Sequence, residues 1–209
     1  MNIRDISQAL RPGLPVWPGD TEFTAAPHWS YGPGHPVNVS AFQLSTHSGT
    51  HADAPLHYDP GGAAIGAVSL DAYIGPARVI DARSWGDMIT ADAVSPHMVG
   101  APERILFRTY EAFPHQRWDG SFTAVHPETI ALLAERAIKL VGVDTPSLDP
   151  QDSKTMDAHL AVKRAGMRIL EGLVLDDVPA GDYELIALPL ALTTLDASPV
   201  RAILRDLRR

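Results

Sequence analysis

Apolar runs of strand length alternate along the chain with segments of helical period, and no obvious linker separates them. Ala77 to Ala82 and Arg104 to Thr109 are short apolar runs that read as strands. His126 to Ala137 reads as a helix. Pro127 suits its first position, and Ile130, Leu133, Ala134 and Ala137 follow an i, i+3, i+4, i+7 stripe. Lys139 to Asp144 reads as a buried strand ending in the loop Asp144-Thr-Pro-Ser-Leu-Asp-Pro150. A second helix is predicted over Asp157 to Arg164 with Gly166 as its stop, then strands over Arg168 to Leu175 and Tyr183 to Leu192. Earlier, Val37 to Thr46 reads as a strand whose apolar phase shifts between Ala41 and Phe42, which predicts a bulge or burial on both faces. The 18 prolines and 16 glycines are spread out, so they mark many turns rather than one disordered tract.

Composition narrows the picture. With 209 residues, 45% hydrophobic and 20% charged, the pattern fits a single globular domain over residues 1–209. A net charge of −8 disfavours nucleic acid and anionic membrane as partners, because phosphate binding needs clustered Lys and Arg. The basic stretch Arg201 to Arg209 is short and mixed with Leu and Asp, so it reads as a solvated face. There is no cysteine, so any metal must use nitrogen and oxygen ligands. The start, Met1 to Ser7, lacks a charged segment followed by an apolar run. Nothing approaches the roughly 18 consecutive apolar residues of a membrane span. A cytoplasmic enzyme is expected.

The candidate chemistry concentrates in one place. His47, His51, Asp53 and His57 fall within eleven residues and include three of the chain's nine histidines. A lone surface histidine is ordinarily just solvated, and Asp53 before Ala-Pro suits a turn. Together, however, four such groups are costly unless a cation holds them, and imidazole with carboxylate is a ligand set of zinc and neighbouring divalent metals. All four positions are odd, so an extended strand would turn all four side chains to one face. A straight strand would still leave His47 and His57 roughly 33 Å apart, whereas an ion gathers its ligands at about 2 Å. The segment must fold back, and Gly49 and Pro55 are where it can. Ser-Gly-Thr and Ala-Pro argue against a helix. The prediction is a strand running into a kinked loop that wraps a metal.

Two further residues qualify as ligands. His159 lies in the first turn of the second predicted helix, and Glu171 interrupts an apolar strand, where a carboxylate needs a partner. The alternatives are a helix-surface histidine and a carboxylate facing solvent. Trp17, between Val16 and Pro18, reads from sequence alone as packing. No Gly-x-Ser-x-Gly elbow supports a serine nucleophile. Gly61, Gly62 and Gly66 match no nucleotide-binding pattern and mark a turn.

The segment His47 to His57 resembles the His-x-Gly-Thr-His-x-Asp-x-Pro-x-His signature of the cyclase-like metal-dependent hydrolases. The resemblance runs through Val16 to Asp20, Gly142 to Pro150, Ser153 to His159, Ile169 to Gly172, Asp176 to Glu184 and Asp196 to Val200. It is closest to the bacterial kynurenine formamidases, or arylformamidases. It implies an α/β fold, a compact single domain whose β-barrel-like core is flanked by helices, and a homodimer. It also implies two zinc ions, with His47, His51 and Asp53 on the first, His159 on the second, and Asp53 and Glu171 shared. Manganese or cobalt would also suit such donors. His57 would be the general acid/base rather than a ligand, and Trp17 would line the substrate pocket. The implied reaction is hydrolysis of N-formyl-L-kynurenine to L-kynurenine and formate in tryptophan degradation. Zinc lowers the pKa of water to about 7, and His57 would move a proton from that water to the departing aryl amine. Two alternatives stay open: a sibling hydrolase acting on another arylamide or cyclic amide, and a non-catalytic metal-dependent binding protein, which would have no use for His57.

Overall fold

The apolar runs become the centre of a nine-stranded sheet. The structure, a computed structural model, describes residues 2–207. In chain order the strands are β1 (Ile3–Asp5), β2 (Thr24–Trp29), β3 (Val39–Gln43), β4 (His51–Asp53), β5 (Ile74–Asp81), β6 (Met88–Ile89) and β7 (Arg104–Arg108). They continue with β8 (Ala124–Val125), β9 (Leu140–Val143), β10 (Arg168–Glu171), β11 (Gly181–Ile186), β12 (Ala197–Pro199) and β13 (Ile203–Asp206). The α-helices are α1 (Pro55–Tyr58), α2 (Ala91–Val94), α3 (Pro127–Glu135) and α4 (Asp157–Ala165).

The main sheet has the order β1-β13-β11-β5-β7-β9-β10-β4-β12. Strands β5, β7, β9 and β10 pair in parallel, and antiparallel strands flank them on both sides. A parallel strand covered on both faces must be apolar throughout, which is why these segments were readable as continuous runs. Successive residues feed two cores. Val79, Leu106, Leu140 and Leu170 join Leu185 and Leu204 on one face. Ile80, Ile105, Phe107, Val141 and Ile169 pack on the other against Ile130 and Leu133 of α3 and Ala158 and Val162 of α4.

The sheet curls strongly. Gln8, just beyond edge strand β1, donates its N–H to Thr50 Oγ1 at 2.8 Å, beside β4 near the opposite edge. Val174, just beyond β10, donates its N–H to the Ile6 carbonyl at 2.9 Å. The chain therefore adopts the expected α/β architecture, a barrel-like core with helices outside it.

Helix boundaries follow local chemistry. His126 Nδ1 accepts from the Glu128 N–H at 3.2 Å and caps α3, which ends before Ala137 because that residue takes φ +58°. Helix α4 closes on Gly166 at φ +66°, as expected. Strand β10 stops at Glu171, and β11 ends at Ile186, ahead of Pro189, which has no N–H for a ladder.

Two expectations are corrected. The strand predicted over Val37 to Thr46 is only Val39–Gln43, and every one of its residues is exposed, so neither the bulge at Ala41–Phe42 nor burial on both faces occurs. The irregularity lies in its partner β2, between Pro27 and Trp29. Strands β2 and β3 form a two-stranded arm outside the main sheet, where apolar side chains do not signal a core. The basic tail is also not merely a solvated face. β13 lies within the sheet with Leu204 buried, Arg201 pairs with Asp5, and Arg205 pairs with Glu184. Arg208 and Arg209, also part of that expectation, lie outside the described residues. Among the described residues no helix is long and apolar enough to cross a membrane.

Candidate active site

Strand β4 supplies the centre of the site. Alternation turns His51 and Asp53 to one face while Ala52 enters the core behind them. The antiparallel register with β10 sets Glu171 opposite His51, and His159 arrives from the first turn of α4. The chain does fold back, but the expected strand running into a kinked loop is corrected to a turn at His47, the short strand β4 and then a helical turn. Gly49 at φ +65° carries the chain from His47 into β4, whereas Pro55 begins the single helical turn that holds His57. Gly172, at φ +64°, packs against that reversal so closely that a Cβ there would lie 2.5 Å from the Gly49 carbonyl oxygen.

The cluster is tight. Asp53 Oδ1 lies 3.1 Å from His47 Nδ1 and 3.5 Å from His51 Nε2, and Asp53 Oδ2 lies 3.4 Å from His159 Nε2. Glu171 approaches His51 Nε2 at 3.3 Å and His159 Nε2 at 3.5 Å. Outer partners orient the rings. Asp149 Oδ2 accepts from His159 Nδ1 at 2.6 Å, and the Gly49 carbonyl accepts from His51 Nδ1 at 2.9 Å. Carboxylate and carbonyl oxygens only accept, so each ring donates outward and turns its Nε2 lone pair inward. Asp196 Oδ2, 3.0 Å from His47 Nε2, does the same for His47 and leaves Nδ1 facing Asp53.

This arrangement calls for positive charge. Burial alone would lower His47, but Asp53 and Asp196 outweigh it and raise its pKa to about 9. His159 is likewise raised well above its usual value, against burial, by Asp149, Asp53 and Glu171. Burial works to raise Asp53, yet the facing His159 and His47 hold it well below the usual carboxylate range. Glu171 is also held low, despite burial and the neighbouring Asp53, by His159 and His51. His51 Nε2 and both Asp53 carboxylate oxygens are buried with no hydrogen-bond partner among the described residues. Orphaned acceptors facing inward lone pairs are repulsive unless a cation sits among them, and a set of nitrogen and carboxylate donors fits a divalent metal.

His57 stands apart from this floor. Its Nδ1 lies 3.5 Å from Asp196 Oδ2, and its ring centroid is 4.2 Å from that of His47 and 5.8 Å from that of His159. Distance alone does not set it apart from the other donors, since Asp53, His57 and His159 also bring donor atoms within 4.8 Å of one another. Exposure sets it apart from His51, Asp53, His159 and Glu171, which are buried, but not from His47, whose side chain is 21% exposed against 29% for His57. Burial of its ring, with His47 and His159 nearby, lowers its pKa and favours the neutral form.

A cavity of about 300 Å³ opens over the cluster, and Trp17 stands in its wall. The Trp17 ring meets Trp118 edge-on at 5.4 Å and Phe122 at 6.4 Å. The loop from Thr109 to Asp119, which carries Trp118, is anchored from several directions. Asp144 accepts from the Thr109 N–H and hydroxyl, both at 2.7 Å, and from the Tyr110 N–H at 3.0 Å. Asp176 accepts from the Phe113 N–H at 2.8 Å. Burial pushes the Asp144 carboxyl up to about 6, so a costly group is spent on holding this wall.

All seven residues singled out from the sequence, His47, His51, Asp53, His57, His159, Glu171 and Trp17, thus surround one cavity or form its floor. Sequence reasoning missed Asp149, Asp196 and Asp144. All three stand in segments singled out for other reasons, and nothing in Leu148-Asp149-Pro150 or Leu195-Asp196-Ala197 marks the histidine that the aspartate orients.

A family model described as a putative cyclase matches residues 4–150. The chain belongs to that family. Solved structures agree with the assignment. This putative cyclase family member is 29% identical to a potential metal-dependent hydrolase with cyclase activity, with a TM-score of 0.86 over 100% of this chain and 99% of the other. It is 29% identical to a predicted metal-dependent hydrolase from Bacillus stearothermophilus, TM-score 0.83, over 97% of each chain. It is 27% identical to isatin hydrolase A from Labrenzia aggregata bound to benzyl benzoate, TM-score 0.82, over 97% of this chain and 93% of that one.

Proposed function

We propose that the protein is a metal-dependent arylformamidase that hydrolyses N-formyl-L-kynurenine to L-kynurenine and formate. The observation that carries this reading is the floor of orphaned carboxylate oxygens and inward-facing imidazoles beneath an aromatic-walled cavity. Hydrolysis as the reaction class is supported by the resemblance to isatin hydrolase A. His47, His51 and Asp53 would hold one divalent ion and His159 would belong to a second, with Asp53 and Glu171 serving both. Zinc is the proposed ion, and manganese or cobalt suits the same donors. Such ions would supply Lewis-acid polarisation of the formyl oxygen and a bound water with a pKa of about 7.

The remaining work falls to the chain. His57 takes a proton from the attacking water as its oxygen bonds to the formyl carbon. It returns that proton to the aniline nitrogen as the C–N bond breaks, giving the free amine and formic acid, which ionises to formate. Asp196, 3.5 Å from His57 Nδ1, favours a proton on that nitrogen and leaves Nε2 free to exchange. Trp17 offers its ring to the aryl group. Stacking of this kind contributes about 0.5–1.5 kcal/mol, so Trp17→Ala is expected to raise KM roughly 2- to 12-fold with little change in kcat. Unchanged steady-state kinetics would remove Trp17 from the pocket. Comparing formate release from N-formylkynurenine with turnover of other arylamides and cyclic amides tests the substrate itself. A clear preference for one of the others would replace the formamidase reading with a sibling hydrolase.

We also propose a homodimer formed through the β2–β3 arm. From residue 24 to residue 46 the sequence has no Asp, Glu, Lys or Arg, although such residues make up 20% of the chain. Tyr31 and Phe42 are 74% and 66% exposed. Natural sheet edges are guarded by charge, and a lone two-stranded ribbon is marginal in water. An uncharged apolar ribbon is therefore built to be covered. Phe42→Glu is expected to convert a dimer to a monomer in light scattering, whereas a wild-type chain already monomeric at micromolar concentration would contradict the proposal.

A further inference from the structure

We infer that Arg117 recognises a carboxylate on the substrate, away from the scissile amide. The inference rests on the formamidase reading and adds the group that selects the amino-acid tail. Arg117 is the single Arg or Lys among the described residues lining the cavity. Its backbone N–H bonds the Pro114 carbonyl at 3.3 Å, but its guanidinium has no ion pair within 4.0 Å and no hydrogen bond among the described residues. Most of the arginines elsewhere are spoken for: Arg78 by Asp182, Arg83 by Asp81, Arg104 by backbone carbonyls.

The loop holding Arg117 is not free to swing. Asp144 fixes its start, Asp176 its middle, and Arg11 bonds the His115 carbonyl at 3.0 Å and Gln116 Oε1 at 2.8 Å. Asp119, two residues on, accepts from the Tyr110 hydroxyl at 2.9 Å and from the Ser121 N–H at 3.0 Å, so it is not committed to the guanidinium. The structure thus spends several polar groups on holding the loop and leaves the charge of Arg117 unmatched. Guanidinium presents parallel N–H donors that suit carboxylate, and such charge-assisted bonds are about twice as strong as neutral ones. Asp20 also lines the cavity, with no ion pair to Arg117, and is placed to meet an ammonium. An α-amino acid tail carries both charges.

Binding of the proposed amine product, L-kynurenine, and of its methyl ester tests this without any turnover. Calorimetry on the wild-type protein is expected to favour the free carboxylate by about 10- to 100-fold. Arg117→Gln should bring the two within about threefold, and Arg117→Lys should keep part of the preference. No preference in the wild type, no binding of either compound, or a preference that survives Arg117→Gln overturns the inference. Formate release from N-formylkynurenine separates the two layers. If release stands while Arg117→Gln keeps its preference, only the role of Arg117 falls. If the wild type releases none, the formamidase reading falls.

Discussion

Replacing Asp53 by Asn is expected to abolish metal binding and reduce formate release roughly 10³-fold. Asp53 is 0% exposed, its two oxygens have no hydrogen-bond partner among the described residues, and His47, His51 and His159 all approach it. With Glu171, it is therefore one of the two side chains proposed to serve both ions. Lewis-acid stabilisation is worth several kcal/mol, and each 1.36 kcal/mol is a factor of ten, which sets that magnitude. Misfolding would not be the cause. Asn keeps the shape and removes a buried charge facing Glu171, and its amide N–H groups can donate to the imidazole lone pairs. Stability gives an independent reading. A ligand at about 100 times its Kd stabilises the fold by about 2.7 kcal/mol, or roughly 5–11 °C in Tm for a chain of this size. Zinc should produce such a rise in the wild type and none in Asp53→Asn. A variant that still bound two ions at wild-type activity would remove Asp53 from the centre.

His57→Ala is expected to keep its metal and lose about 10²- to 10⁴-fold in kcat, the usual worth of acid/base help. His57 sits on a one-turn helix open to the cleft and belongs to neither core, so Tm should change little. The nearest competing role is that of a ligand, because its ring lies 4.2 Å from that of His47. Metal content measured beside activity decides between the two. Loss of metal together with activity would make His57 a ligand, and full activity would leave it without a part in the chemistry.

What could be read from the chain, and what could not, follows from range and environment. Strands β7 and β9 and helices α3 and α4 were readable because burial on both faces, or along one stripe, writes itself into consecutive residues. The same signal misled at β3. An uncharged arm has the composition of a core strand, and only the structure shows that all of its residues from Val39 to Gln43 are exposed. Within the site, His47 to His57 stood out because one turn and one short strand gather them locally. Glu171 stood out as a charge within an apolar run. Asp196 did not, since its partner His47 lies 149 residues away, and Asp149, only 10 residues from His159, reads as a turn aspartate before Pro150. Arg117 resembles any exposed arginine until the cavity beside it is seen.

The central claim is that buried imidazoles and carboxylates on β4, β10 and α4 hold the divalent ions on which hydrolysis depends. Elemental analysis of purified protein, paired with formate release before chelation, after it and after metal is restored, tests this most directly. The expected result is about two zinc equivalents per chain, activity lost with the metal, and activity recovered on its return. A stripped protein that released formate as fast as the loaded one would contradict it.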